Sequence, residues 1–67
     1  MKVKHFVNAS RGGEFRLVDA KKLLHVVYPE ECVIFNGDKK IVERDFGDMK
    51  VVFFEATGKS KYDLHVK

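Results

Sequence analysis

The segment Met49-Lys50-Val51-Val52-Phe53-Phe54-Glu55-Ala56 restricts what this chain can fold into more than any other. On an extended strand, alternate side chains point to opposite faces. One face then carries Met49, Val51 and Phe53, the other Val52, Phe54 and Ala56. Both faces are apolar in the middle, so both need a cover, which is the pattern of a central strand. Burying each Phe contributes roughly 1.5–3 kcal/mol, so this segment is expected to hold a large share of the core.

The chain has 67 residues, enough for a single domain spanning 1–67. A chain of this size buries only about 60% of its unfolded surface, so support from a second copy is a natural expectation. With 45% hydrophobic and 34% charged residues, it reads as a globular domain rather than a disordered one. No apolar run approaches the roughly 20 residues of a membrane helix. No apolar stretch follows the basic start Met1-Lys2-Val3-Lys4-His5, so neither a membrane partner nor a secretory signal is expected. A single cysteine, Cys32, suggests a reducing, cytoplasmic setting. The net charge of +3 is unevenly spread: residues 1–27 carry +4, residues 28–48 carry −3 and residues 49–67 carry +2. The plain reading is a solvated surface of mixed sign.

Turn signals recur every eight to twelve residues, the rhythm of a small all-β domain. The first strand is expected at Lys2–Asn8, turning at Ser10-Arg11-Gly12-Gly13 into Glu14–Val18, where Phe15 and Leu17 point inward. Residues 19–28 admit two readings. As a helix, Asp19 is the N-cap and Ala20, Leu23, Leu24 and Val27 share a face. As a strand, Leu23–Tyr28 is buried; Lys21 and Lys22 oppose a helix dipole there, and Val26-Val27-Tyr28 favours β structure, so the strand is preferred. Pro29-Glu30-Glu31 forms a turn, Cys32–Phe35 a strand and Asn36-Gly37 a hairpin turn into a return strand at Lys40–Phe46. After the central strand, Thr57-Gly58-Lys59-Ser60 turns into a final strand with Tyr62, Leu64 and Val66 inward and a charged outer face that suits an edge or a solvated side. The expected fold is mostly β: a small antiparallel barrel or curled sheet of six to seven short strands. The alternative is an α+β domain with one helix at 19–28 laid across an antiparallel sheet.

No catalytic or cofactor signature stands out. Gly58-Lys59-Ser60 ends like a phosphate-binding loop, but the position five residues before Gly58 is Phe53, not glycine, and a strand follows. Gly12-Gly13 beside Arg11 fits a turn better than an anion nest. His5, His25, Cys32 and His65 lack the close spacing of zinc ligands, so no metal is expected. Cys32 follows two glutamates and reads as a small core thiol rather than a nucleophile.

Two binding surfaces remain. Lys2, Lys4, Arg11, Arg16, Lys21 and Lys22, with Phe6, Phe15 and Tyr62 as stacking groups, could hold single-stranded nucleic acid, although the net charge is mild for that role. Leu24, Val26, Tyr28, Val52 and Phe54 would remain apolar and outside any single interior, marking an interface with a protein partner or a second copy. The expected function is that of a small non-enzymatic binding or regulatory protein; the alternatives are a weakly basic nucleic-acid-binding domain and a phage-type accessory or inhibitor protein.

Overall fold

The computed structural model describes residues 1–26 and 28–67. Along the chain lie α1 (Val3–Ala9), β1 (Glu14–Asp19), α2 (Ala20–Leu23), a 3-10 turn at Pro29–Cys32, β2 (Val33–Asp38), α3 (Lys39–Phe46), β3 (Val51–Gly58) and β4 (Lys61–Val66). The four strands form one open sheet in the order β2-β1-β4-β3. The central pair β1–β4 is parallel, and the two outer pairings are antiparallel. The fold is therefore α+β, not a barrel, and four strands replace the six or seven expected.

The sheet is built of rungs that cross all its strands. One apolar rung is Phe35–Leu17–Leu64–Phe54, and the next is Gly37–Phe15–Tyr62–Ala56. Leu17, Leu64, Phe15 and Val66 are fully buried. Helices α1 and α3 cover this face: Phe6 of α1 lies 6.3 Å from Phe15 and 5.7 Å from Tyr62, and Phe46 of α3 lies 5.3 Å from Phe35. The Phe35 ring folds over Gly37; a Cβ there would sit 2.6 Å from that ring, so a larger residue would need the ring to move.

The residues expected as a first strand form α1 instead. Val3, Phe6 and Val7 stand at i, i+3 and i+4, one face of a helix, and all three are buried. Strand alternation over the same stretch would put Val3 and Val7 on one face and Phe6 on the other. No first hairpin exists: Ser10 Oγ accepts a hydrogen bond from the Gly12 N–H at 2.9 Å, and the chain passes from α1 into β1. The return strand at Lys40–Phe46 is likewise a helix, α3, because Asp38 caps it by accepting the Ile41 N–H at 3.1 Å. The Asn36-Gly37 hairpin turn is thereby overturned: both residues lie inside β2, with no positive φ among the described residues.

In residues 19–28 neither expectation holds in full. Asp19 does cap a helix, accepting from the N–H groups of Lys21 and Lys22 at 2.9 and 3.2 Å, but α2 is only four residues long. No strand forms at 23–26, and Val27 lies outside the described residues. The turn at Pro29–Glu31 is a 3-10 turn that leads Cys32, buried as expected, into β2.

The largest correction concerns the segment 49–56. It forms β3, but at an edge of the sheet, and β4, expected either at an edge or with one solvated side, is central. Val52, Phe53 and Phe54 are 43%, 54% and 52% exposed. Leu64→Ala is therefore expected to lower the unfolding free energy by about 2–5 kcal/mol, whereas Val52→Lys should change it by no more than about 0.5 kcal/mol. Denaturant melts of the two variants check this, and a large loss at Val52 contradicts the edge placement.

Candidate functional site: the open edge of β3

Hydrogen bonding fixes which backbone groups of β3 look outward. Lys50 and Lys67 exchange both bonds of a narrow pair, Lys67 N–H to Lys50 O at 2.9 Å and Lys50 N–H to Lys67 O at 3.3 Å. Along an antiparallel ladder, bonded and non-bonded pairs alternate. Counting back along β4, His65 and Asp63 are bonded to Phe53 and Glu55, while Leu64 and Tyr62 face Phe54 and Ala56 without bonds. The register shift between Val51 and Phe53 absorbs Val52 as a bulge. The N–H and C=O groups of Phe54 and Ala56 thus point off the sheet.

The upstream part of this edge is closed. The Val51 N–H donates to Met1 O at 2.7 Å, and the Val3 N–H donates to Met49 O at 2.8 Å. Lys2 pairs with Lys50 as an isolated bridge. Exposed ion pairs lie beside this clasp: Lys4 Nζ lies 3.1 Å and Lys2 Nζ 3.7 Å from Asp48 Oδ1. Downstream, Lys59-Ser60 turns into β4. The open window therefore runs over residues 52–58.

Its side chains are apolar where they can be. Met1, Val51, Val52, Phe53 and Phe54 line a shallow depression of about 320 Å³. Phe54 lies 4.8 Å from Phe6 on the helix-covered face, and Phe53 meets the His65 ring at 5.1 Å on the opposite face. That opposite face also carries the rung Asn36–Arg16–Asp63–Glu55. Asp63 is buried, 5% exposed, and grips Arg16 through two bonds, Nε to Oδ1 at 3.1 Å and Nη2 to Oδ2. The hydrogen bond to Asp63 raises the Arg16 pKa; burial offsets part of the rise, and the charges of Asp63, Glu30 and Glu55 add to it.

Of the residues expected to bind nucleic acid, Arg16 is held by Asp63, and Lys2 and Lys4 both meet Asp48. Arg11 stands exposed in the loop after α1, and Lys21 and Lys22 lie exposed on α2. The set is spread over four parts of the fold. Of the expected interface residues, Val52 and Phe54 lie on the open edge. Leu24 and Tyr28, 83% and 61% exposed, and the half-buried Val26 lie in the connection from β1 to β2 instead. Phe53 and Met1 complete the patch; the run of four apolar residues at 51–54 was the signal for Phe53, whereas nothing in the sequence pointed to Met1. No group of three or more metal-ligating side chains forms among the described residues, and none of their helices is long and apolar enough to cross a membrane. Comparison with protein-family models, curated proteins and solved structures finds no match.

Two outcomes follow. In hydrogen exchange the Phe54 and Ala56 amides should exchange far faster than the Glu55 amide between them; equal protection of all three would contradict the open edge. Hydrogen bonding by Lys4, with the charges of Lys4 and Lys2, holds the Asp48 carboxyl below the usual carboxylate range. Its stabilisation is accordingly present at neutral pH and lost as the pH falls through that lowered value. Lys4→Gln should raise the Asp48 titration midpoint toward the ordinary value, as read from side-chain carbonyl NMR shifts.

Proposed function

We propose that this chain is a small non-enzymatic binding protein that acts through a protein partner, taking up an extended segment of that partner as a fifth strand beside β3. The observation that carries this reading is the pair of outward-facing backbone positions at Phe54 and Ala56, set among the exposed side chains of Val52, Phe53 and Phe54. An added strand gains main-chain bonds from such an edge and specificity from alternate side chains. A bare apolar edge is otherwise an aggregation liability that proteins blunt with charge, proline or a cover. Here Met1–Val3 cover its first part and leave the rest open.

The nucleic-acid reading has less support, because three of its six cations are engaged by acids. The enzymatic reading has less support as well: the depression at the edge is lined by apolar side chains, and in the polar cleft beside Glu14 and Lys61 the Arg16 and Asp63 side chains are bound to each other.

Ala56→Pro provides the test. It removes one outward N–H without touching the β3–β4 ladder, a position where edge strands accept proline. In affinity capture from the source cells, a protein retained by the native chain should fall at least tenfold with Ala56→Pro, while both proteins melt alike. Identical capture by both, or captured material that is nucleic acid released by nuclease, overturns the proposal.

A further inference from the structure

The rung Asn36–Arg16–Asp63–Glu55 runs neutral, positive, negative, negative across the sheet. Arg16 is bound to Asp63. Glu55 is next to Asp63 in the ladder, is exposed, and has no ion pair among the described residues. It is also the one charged residue in β3, at the centre of the open window. The rungs on either side, on the other face, end in Phe54 and Ala56. A strand laid beside β3 would extend all three rungs by one residue.

We infer that the strand β3 accepts is an antiparallel segment of another protein reading apolar–basic–apolar, with its Lys or Arg opposite Glu55. This rests on the strand-addition reading above and gives it a partner chemistry. The Glu55 position is a non-bonded pair with respect to the incoming strand, where side chains lie closest, with Cα atoms about 4.5 Å apart. Opposite charges there stabilise the pairing, and like charges oppose it. The apolar residues on either side would fall beside Phe54 and Ala56 on the helix-covered face, where Phe54 already meets Phe6.

The same geometry argues against a second copy as occupant. The antiparallel register that uses all the outward groups pairs Phe54 with the copy's Ala56 and sets Glu55 against the copy's Glu55. Centring the pair on Phe54 instead drives the copy's Thr57 into the place beside Val51 that Met1 holds. Centring it on Ala56 sets Phe54 against the copy's Gly58, whose backbone is turned toward Lys61. Each self-pairing thus carries a like-charge contact, a collision or a lost bond.

The test uses two synthetic peptides, acetyl-Thr-Val-Arg-Val-Thr-amide and its Arg-to-Glu counterpart, titrated into the native chain and into Glu55→Gln by heteronuclear NMR. The expected result is amide shifts at Phe54–Ala56 with at least tenfold tighter binding of the Arg peptide, and a ratio that falls below about threefold in Glu55→Gln. Equal binding of both peptides at the edge of the native chain overturns the charge preference while leaving strand addition standing. Shifts centred elsewhere, or none from either peptide, overturn both. Sedimentation equilibrium at neutral pH should find a monomer; a dimer whose Phe54 and Ala56 amides are protected overturns the choice of a foreign segment over a second copy.

Discussion

The parallel pairing of β1 with β4 sets the rest of the structure. It places the first and last strands side by side at the centre of the sheet, with Leu17 against Leu64 and Phe15 against Tyr62. These four are the middle of the core, and Leu17, Leu64 and Phe15 are fully buried. Once they occupy the centre, β2 and β3 can only lie outside. The connection from β2 to β3 must cross over the sheet, and α3 makes that crossing, packed beside α1. Two helices and four strands thus enclose one apolar layer, and the other face of the sheet carries the Arg16–Asp63 pair.

The edge position of β3 follows from the same constraint and is the source of the functional reading. A strand with apolar residues on both faces would ordinarily be flanked on both sides. In this fold β3 has β4 on one side, and Met1–Val3 reach only its first residues on the other. The exposed Phe53 and Phe54 are therefore the ends of rungs that stop one strand short. Glu55 shows the same incompleteness in charge: a carboxylate in line with an ion pair, with no cation beyond it.

The sequence was legible where the side-chain period was unambiguous. β1 and β4 alternate cleanly, and Phe15, Leu17, Tyr62, Leu64 and Val66 point inward as their spacing implies. The turn expected over Thr57-Gly58-Lys59-Ser60 was readable only in its second half, since Thr57 and Gly58 extend β3 and Lys59-Ser60 alone make the turn. The two helices were missed for a common reason. Each is short, and its inward residues, Val3, Phe6 and Val7 in α1 and Val42 with the partly buried Phe46 in α3, depart from a strand reading at Phe6 alone over seven or eight residues. Asp38 was the overlooked signal, a helix cap immediately before the helix it caps. The order of the strands could not be read from local pattern, since pairing of β1 with β4 joins residues 47 apart. That order alone decides whether the twofold apolar segment is hidden or offered. Val52 and Phe54 stand about half exposed, although the segment itself was expected at the centre.

The central claim is that β4 is flanked on both sides and β3 on one. Interstrand proton–proton NOEs measured on the isolated chain test it most directly. Contacts are expected from Leu64 to both Leu17 and Phe54, and none from the Phe54–Ala56 backbone to any strand other than β4. A set of backbone contacts joining Phe54 or Ala56 to a second strand, within the chain or from another copy, would contradict it.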